Sequence, residues 1–334
     1  MEMKTLLPGD EAFHLFTDLP KTLYPAGSIR HQQKDTVSRE FLHACYVLIE
    51  NGAIKARAAL YDNPHLLFEG KKAACVGNFE STEDPEIAAE LLKYIEKEAT
   101  NLGADYLIGP MNGSTWENYR FSLDHDHPNF FLEPFHHLYY NELFVTAGFV
   151  PISRYSSHIE KDLPCDYPDV LKREKELEEN GMTIRGIDLL NFDSELERLY
   201  PFIAGAFSEN FLYTPADRDS FKAKYTEAAK IINPEFVLIA EDKDRNIVGF
   251  IFCYDDLFNT SEKSLVMKTL ARNPSEEWKG LGQILGNRII RLMNERGYQS
   301  QIHAFMIDSG VSTHTSRKFH GTNFKTYALY GKEL

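Results

Sequence analysis

The chain has 334 residues, 43% of them hydrophobic, and carries 50 acidic against 36 basic residues for a formal net charge of −14. That length predicts two domains with their own cores, and the acidic balance argues against nucleic acid or an anionic membrane as partner. The opening apolar run is too short for a signal peptide or a membrane span, so a cytoplasmic protein is expected, and the scattered Cys45, Cys75, Cys165 and Cys253 form no CxxC pair, which suggests neither a disulfide framework nor a thiolate metal site.

In chain order, two strand-like runs, Ala44 to Glu50 and Ile54 to Tyr61, flank Asn51-Gly52, the strongest short hairpin signal. A strand over Ala73 to Phe79 follows. Asp84-Pro85 opens a helix with Ile87, Leu91, Leu92 and Ile95 on one face, and Tyr106 to Ile108 reads as a further strand. An aromatic insertion then runs to Tyr139. Its Asn112, Trp116, Tyr119 and Arg120 are candidates to wall a substrate pocket facing the other half; a plain packing loop is the alternative, because aromatics serve cores more often than sites. His125, His127, His136 and His137, with Asp124 and Asp126, lack a metal-ligand spacing, so no metal is expected. Glu142 to Phe149 includes a short helix, and the charged run Asp166 to Asn180 reads as an exposed connecting helix.

From Thr183 the order restarts. Thr183 to Leu189 is a strand, Asp193 to Phe207 and Arg218 to Ile232 are helices, and Phe236 to Ala240 pairs with Ile247 to Tyr254. An apolar run from Leu265 stops at Pro274, and after Gly280 and Gly282 a helix carries Leu281, Leu285, Ile289, Leu292 and Met293 toward a sheet. Gln301 to Ile307, Ser312 to Phe319 and Phe324 to Tyr330 complete the series as strand, helix and strand.

The two glycines stand where first-turn N–H groups lack partners and the positive end of the helix dipole lies, so they either cradle a phosphate or simply make a tight turn. No Walker loop exists here. A dinucleotide fingerprint would need its third glycine at Leu285, whereas glycine comes one later, at Gly286.

The run Leu270-Ala271-Arg272-Asn273-Pro274, then Glu277-Trp278-Lys279-Gly280-Leu281-Gly282, resembles the pyrophosphate motif of the GCN5-related N-acetyltransferases (GNAT): strand, proline, Arg/Gln-x-x-Gly-x-Gly/Ala, long helix. Glu277 departs from the Arg or Gln of that pattern. Residues 183–334 follow the order of elements of that family throughout, and the first half follows it by order alone. The resemblance implies a mixed α/β fold of two GNAT-like domains in tandem, residues 1–163 and 183–334, joined by a linker helix over 164–182. In the first, Glu80 to Pro85 offers three acids and no glycine, so diphosphate would be repelled there.

The resemblance further implies acetyl-CoA as cosubstrate, no metal, and direct attack on the thioester by an amine of a small molecule or peptide. Leu270 would lie by the thioester carbonyl, and Trp278, Lys279, Gly280, Leu281, Gly282 and Gln283 by the diphosphate. Glu209 and Asp255 are candidate bases. The tyrosine acid of the family falls on Phe319, leaving Tyr327, Tyr330 and His320 as substitutes by proximity. A non-catalytic acyl-CoA-binding module is the alternative reading. Aminoacyl-tRNA-dependent peptidyl transferases share a paired architecture, and the acidic balance counts against that option.

Overall fold

The computed structural model describes residues 1–33 and 36–334, without the side chains of residues 227 and 228. Its first half runs β1 (Glu2–Leu6), α1 (His14–Leu23), α2 (Ile29–Gln32), β2 (Leu42–Glu50), β3 (Ala53–Tyr61), β4 (Leu67–Phe68), β5 (Lys71–Ser81), α3 (Pro85–Asn101), β6 (Tyr106–Gly109), β7 (Phe121–Ser122), α4 (Tyr139–Thr146) and β8 (Val150–Glu160). The second runs α5 (Pro168–Glu179), β9 (Thr183–Gly186), α6 (Phe192–Phe207), α7 (Arg218–Ala228), β10 (Val237–Glu241), β11 (Ile247–Asp255), β12 (Ser264–Arg272), α8 (Leu281–Arg296), β13 (Ser300–Ile307), α9 (Val311–Lys318) and β14 (Thr322–Glu333).

These elements divide into two compact units. One comprises Met1–Tyr155, Phe211–Thr214 and Lys325–Leu334; the other comprises Ser156–Asn210 and Pro215–Phe324. The division differs from a linear split near residue 163. The last strand enters the first unit, while Ser156 to Glu160 of β8 and the whole of α5 belong to the second.

In the first unit β1, β2, β3 and β5 pair antiparallel in that order, β5 pairs parallel with β6, and β6 pairs antiparallel with the end of β14, Tyr330↔Gly109 to Glu333↔Tyr106. Asn51 and Gly52 both take positive φ, 50° and 77°, which is what a two-residue hairpin with the twist of its strands requires. Helix α3 makes the crossover between β5 and β6, and buries Ile87, Leu91, Leu92 and Ile95 in the unit's core. Each such side chain contributes roughly 1.5–3 kcal/mol, so this face outweighs differences in helix propensity of under about 1 kcal/mol per residue.

The second unit repeats the plan. β9, β10, β11 and β12 pair antiparallel, and β12 pairs parallel with β13 after the crossover helix α8. Ser156 to Glu160 of β8 lie on the other edge of β13. Helix α8 buries Leu281, Ile284, Leu285, Ile289, Ile290 and Met293. The expected connecting helix, α5, is not a free spacer: Leu177 is buried with the core around α8, Arg288 of α8 pairs with Glu174 and Glu178, and Arg291 donates to Asp166 at 2.6 Å. Among the described residues no helix is long and apolar enough to cross a membrane.

Candidate functional site

Strand β12 leads into Pro274, then a 3-10 turn over Glu276–Trp278 whose tryptophan is buried, then Gly280, the N-cap of α8. Gly280 has φ +92° and makes no side-chain cap; glycine takes that backbone region without strain. The amides of Gln283 and Ile284 both donate to Gly280 O, at 3.0 and 3.1 Å. The N–H groups of Leu281 and Gly282 come before these first helical bonds and have no partner within the helix. A Cβ built on Gly282 would meet only Leu270, at 3.7 Å, so there is room above the helix start.

The other side of this loop is held by the protein itself. Arg173 of α5 donates to Glu277 O at 2.5 Å and to Lys279 O at 3.1 Å. In a trans peptide the C=O and the following N–H point in opposite directions, so fixing Lys279 O toward Arg173 turns the Gly280 N–H away from it. The Glu277 side chain is exposed, and Lys279 Nζ lies 3.1 Å from Glu276 Oε2.

Beside the loop, β12 and β13 part. Their ladder runs from Ser264↔Ser300 to Met267↔His303, while β12 continues to Arg272 and β13 to Ile307. On its other edge β12 pairs Thr269 with Phe252 and Met267 with Cys253. Lys268 is therefore the extra residue of a bulge, which bends the strand and re-aims its peptide groups. Lys268 Nζ sits 4.5 Å above the Phe305 ring across the wedge, and Phe305 N donates to Ser157 Oγ at 3.1 Å.

The remaining candidates are dispersed. Tyr327 and Tyr330 lie on β14 in the first unit, donating at 2.8 Å to Glu133 Oε1 and to Asn141 Oδ1. Neither shares a unit with Gly280. Glu209 is exposed beyond α6, and Asp255 accepts from Tyr298 at the far end of β11. Phe319 is buried, its ring where a Cβ on Gly286 would fall, and His320 meets Tyr167 Oη at 3.1 Å.

Asn112, Trp116, Tyr119 and Arg120 are each tied into the first unit. Asn112 Oδ1 accepts from Asn78 N, Trp116 Nε1 donates to Thr214 O, and the Arg120 guanidinium lies 3.9 and 4.5 Å from the rings of Tyr119 and Tyr155. His136 Nε2 accepts from Ser122 N at 2.8 Å, and burial pushes its pKa down to about 3. Among the described residues no group of three His, Cys, Asp or Glu side chains is placed to hold a metal.

The corresponding helix start in the first unit is occupied by protein. The Asp84 carboxylate caps α3, accepting from Glu86 N at 3.0 Å and Ile87 N at 3.3 Å, and Pro85 removes another donor.

Sequence reasoning missed a buried polar row in the second unit. Ser156, His158 and Glu160 on β8, Gln301 and His303 on β13, and Ser316 on α9 are all 3% exposed or less. Ser316 Oγ lies 2.6 Å from His303 Nδ1 and 2.9 Å from His158 Nδ1. His303 Nε2 lies 3.1 Å from Gln301 Oε1 and 3.5 Å from Glu160 Oε2, and His158 Nε2 lies 3.4 Å from Ser156 Oγ. The row ends at a cavity of about 450 Å³ lined by Ser156, His158, Asp308, Thr313, Arg317 and Asn323 among others. A signal was present: Ser-x-His-x-Glu and Gln-x-His place polar residues at period two, so they share the face of each strand that a core covers.

No protein-family model and no curated protein sequence matches this chain. Solved structures do match in shape. A GCN5-related glucosamine N-acetyltransferase region of a fungal multi-domain GH3 β-N-acetylglucosaminidase superposes with TM-score 0.59 at 15% identity, over 99% of this chain and 38% of that one. This chain thus spans well under half the length of that protein. A tandem GNAT protein from the clavulanic acid biosynthesis pathway gives TM-score 0.57 at 10% identity over 99% and 98% of the two chains. A GCN5-related N-acetyltransferase from Sphaerobacter thermophilus gives 0.55 at 12% over 99% and 95%.

Proposed function

From the tandem GCN5-related N-acetyltransferase fold of this chain, we propose that it is an acyl-CoA-dependent N-acyltransferase, with acetyl-CoA as acyl donor and one working site, in the second unit. The observation that carries this reading is the uncapped helix start at Gly280 beside the wedge between β12 and β13. Gly282 offers a main-chain donor to a diphosphate at the positive end of the α8 dipole, whereas Leu281 is fully buried. Trp278, Lys279 and Gln283 frame the same loop.

The cosubstrate supplies a thioester, activated for attack by an amine. The peptide groups that the Lys268 bulge re-aims, next to Leu270, are suited to hold its carbonyl oxygen as charge develops there, an electrostatic contribution often worth about 3–4 kcal/mol per donor. The amine belongs to a small molecule or peptide, and neither nucleic acid nor membrane is required. We assign the protein to the cytoplasm, where its free cysteines stay reduced.

Calorimetric titration with CoA and a thiol-release assay with acetyl-CoA over a panel of amines test the reading. Saturable binding together with amine-dependent thiol release is expected. Binding without turnover would favour a non-catalytic acyl-CoA module, a role to which Glu277 and the proton-free Phe319 also point, and absence of both overturns the assignment.

A further inference from the structure

The buried row beside β13 has a direction. With Glu160 ionised and the Gln301 amide turned so that Oε1 faces the ring, both neighbours of His303 Nε2 accept, and His303 then carries its proton on Nε2. Its Nδ1 then accepts from the Ser316 hydroxyl, whose single proton is used there. Ser316 Oγ must therefore accept from His158 Nδ1–H. What remains is His158 Nε2, a lone pair at the cavity end of the row, 3.4 Å from Ser156 Oγ.

The other end of the row is costly as it stands. Neither oxygen of Glu160 has a hydrogen-bond partner among the described residues, and the side chain is fully enclosed. The group facing it is His303 Nε2, 3.5 Å from Oε2, so a positive charge passed to that imidazole would be held directly against the carboxylate. The row is thus built to take up one proton at the cavity and to hold the resulting charge beside Glu160. Burial, His303 and Arg317 keep His158 below the usual histidine pKa, with Asp308 opposing them, so near neutral pH it stands ready to accept.

We propose that this cavity is the acceptor site, that it takes a small zwitterionic amine, and that His158 is the base that receives the amine proton. Asp308 and Arg317 line the same cavity and offer one partner each to an ammonium and a carboxylate. A volume of about 450 Å³ suits an amino acid or dipeptide. The proposal rests on the acyl-transfer reading above. In the step, the bound ammonium first loses one proton to water, which frees the nitrogen lone pair; the neutral amine nitrogen then forms a bond to the acyl carbon and the C–S bond breaks. One N–H proton passes to His158 Nε2, the Nδ1 proton to Ser316, and the Ser316 proton to His303 Nδ1. Water protonates the leaving thiolate, and the row returns its proton through His158 to water, so an N–H lost matches an S–H gained. Ser316, His303 and Glu160 act through His158 and are positioning residues.

The test uses the full chain with acetyl-CoA and a panel of amino acids, dipeptides and alkylamines, read as kcat and KM from about pH 5 to 9, alongside CoA affinity and thermal stability of each variant. His158→Gln should lower kcat about 100-fold or more with CoA affinity unchanged. Glu160→Gln should move the acid limb of the profile to lower pH and cut the plateau roughly tenfold, because a weaker base results. Ser316→Ala, which adds no bulk, should do the same if either of the others fails to fold. Arg317→Ala should erase the preference for carboxylate-bearing amines over alkylamines. Variants that fold and keep kcat within about twofold, with the pH profile in place, overturn the relay. Alkylamines serving as well as amino acids in the unaltered protein overturn the substrate class. Failure of the unaltered protein to bind CoA or release thiol overturns the acyl-transfer reading instead, and this site falls with it.

Discussion

Two helix starts in this molecule occupy the same place in the same fold and have opposite chemistry. At α3 the Asp84 carboxylate sits on the first-turn amides, as an internal anion covalently attached to the chain. At α8 a glycine with φ +92° supplies no side-chain cap, and Arg173 holds the neighbouring carbonyls. A helix terminus of either kind favours negative charge near its first-turn amides. At α3 that preference is met by a side chain of the helix's own cap, and at α8 no side-chain cap meets it. The histidines divide in the same way: His136 accepts a backbone N–H in the first unit, whereas His158 stands at a cavity in the second.

The largest expected effect comes from making α8 resemble α3. Gly282→Asp places a carboxylate in the first turn, where the open space beside Leu270 accommodates its Cβ and the dipole favours it by roughly 0.3–1 kcal/mol. CoA affinity should fall about 100-fold or more, near 2.7 kcal/mol, while the unfolding midpoint holds or rises. Calorimetry beside thermal unfolding checks this; unchanged affinity would break the comparison.

A middle-sized effect concerns His136. Its folded pKa of about 3 lies below the ordinary 6.5, so the unfolded chain binds the extra proton between those values. Its contribution to stability is complete above about pH 6.5 and is lost as pH falls toward 3, by up to about 1.4 kcal/mol per pH unit. Urea unfolding at several pH values should show that slope, and His136→Gln, which keeps an acceptor for Ser122 N, should flatten it.

The smallest effect is at Asp84. Asp84→Ala removes the α3 cap and should cost about 1 kcal/mol, read as a lower unfolding midpoint. Affinity for CoA should not change, because α3 still lacks a glycine at its start. A second CoA equivalent bound by this variant would show that the capping carboxylate alone had closed the site.

Much of the architecture was readable because local rules act over a few residues. Asn51-Gly52 specifies its hairpin, Asp84-Pro85 opens α3, and the apolar positions of α3 and α8 follow helical spacing onto a core. The helix His14–Leu23 and strand Glu2–Leu6 were not anticipated; the period of each is short and mixed with polar residues.

By itself, then, the sequence determined the two repeats of one plan and the glycine-flanked helix start, since periodicity, turn chemistry and a missing Cβ are properties of neighbouring residues. Only the tertiary structure decided which unit Tyr327 and Tyr330 join, that Arg173 backs a loop about a hundred residues away, and that Glu160, His303 and Ser316 meet His158. Those meetings depend on which strand lies beside which and what packs over them, and strand order is settled by the burial of whole faces, not by any short stretch of chain.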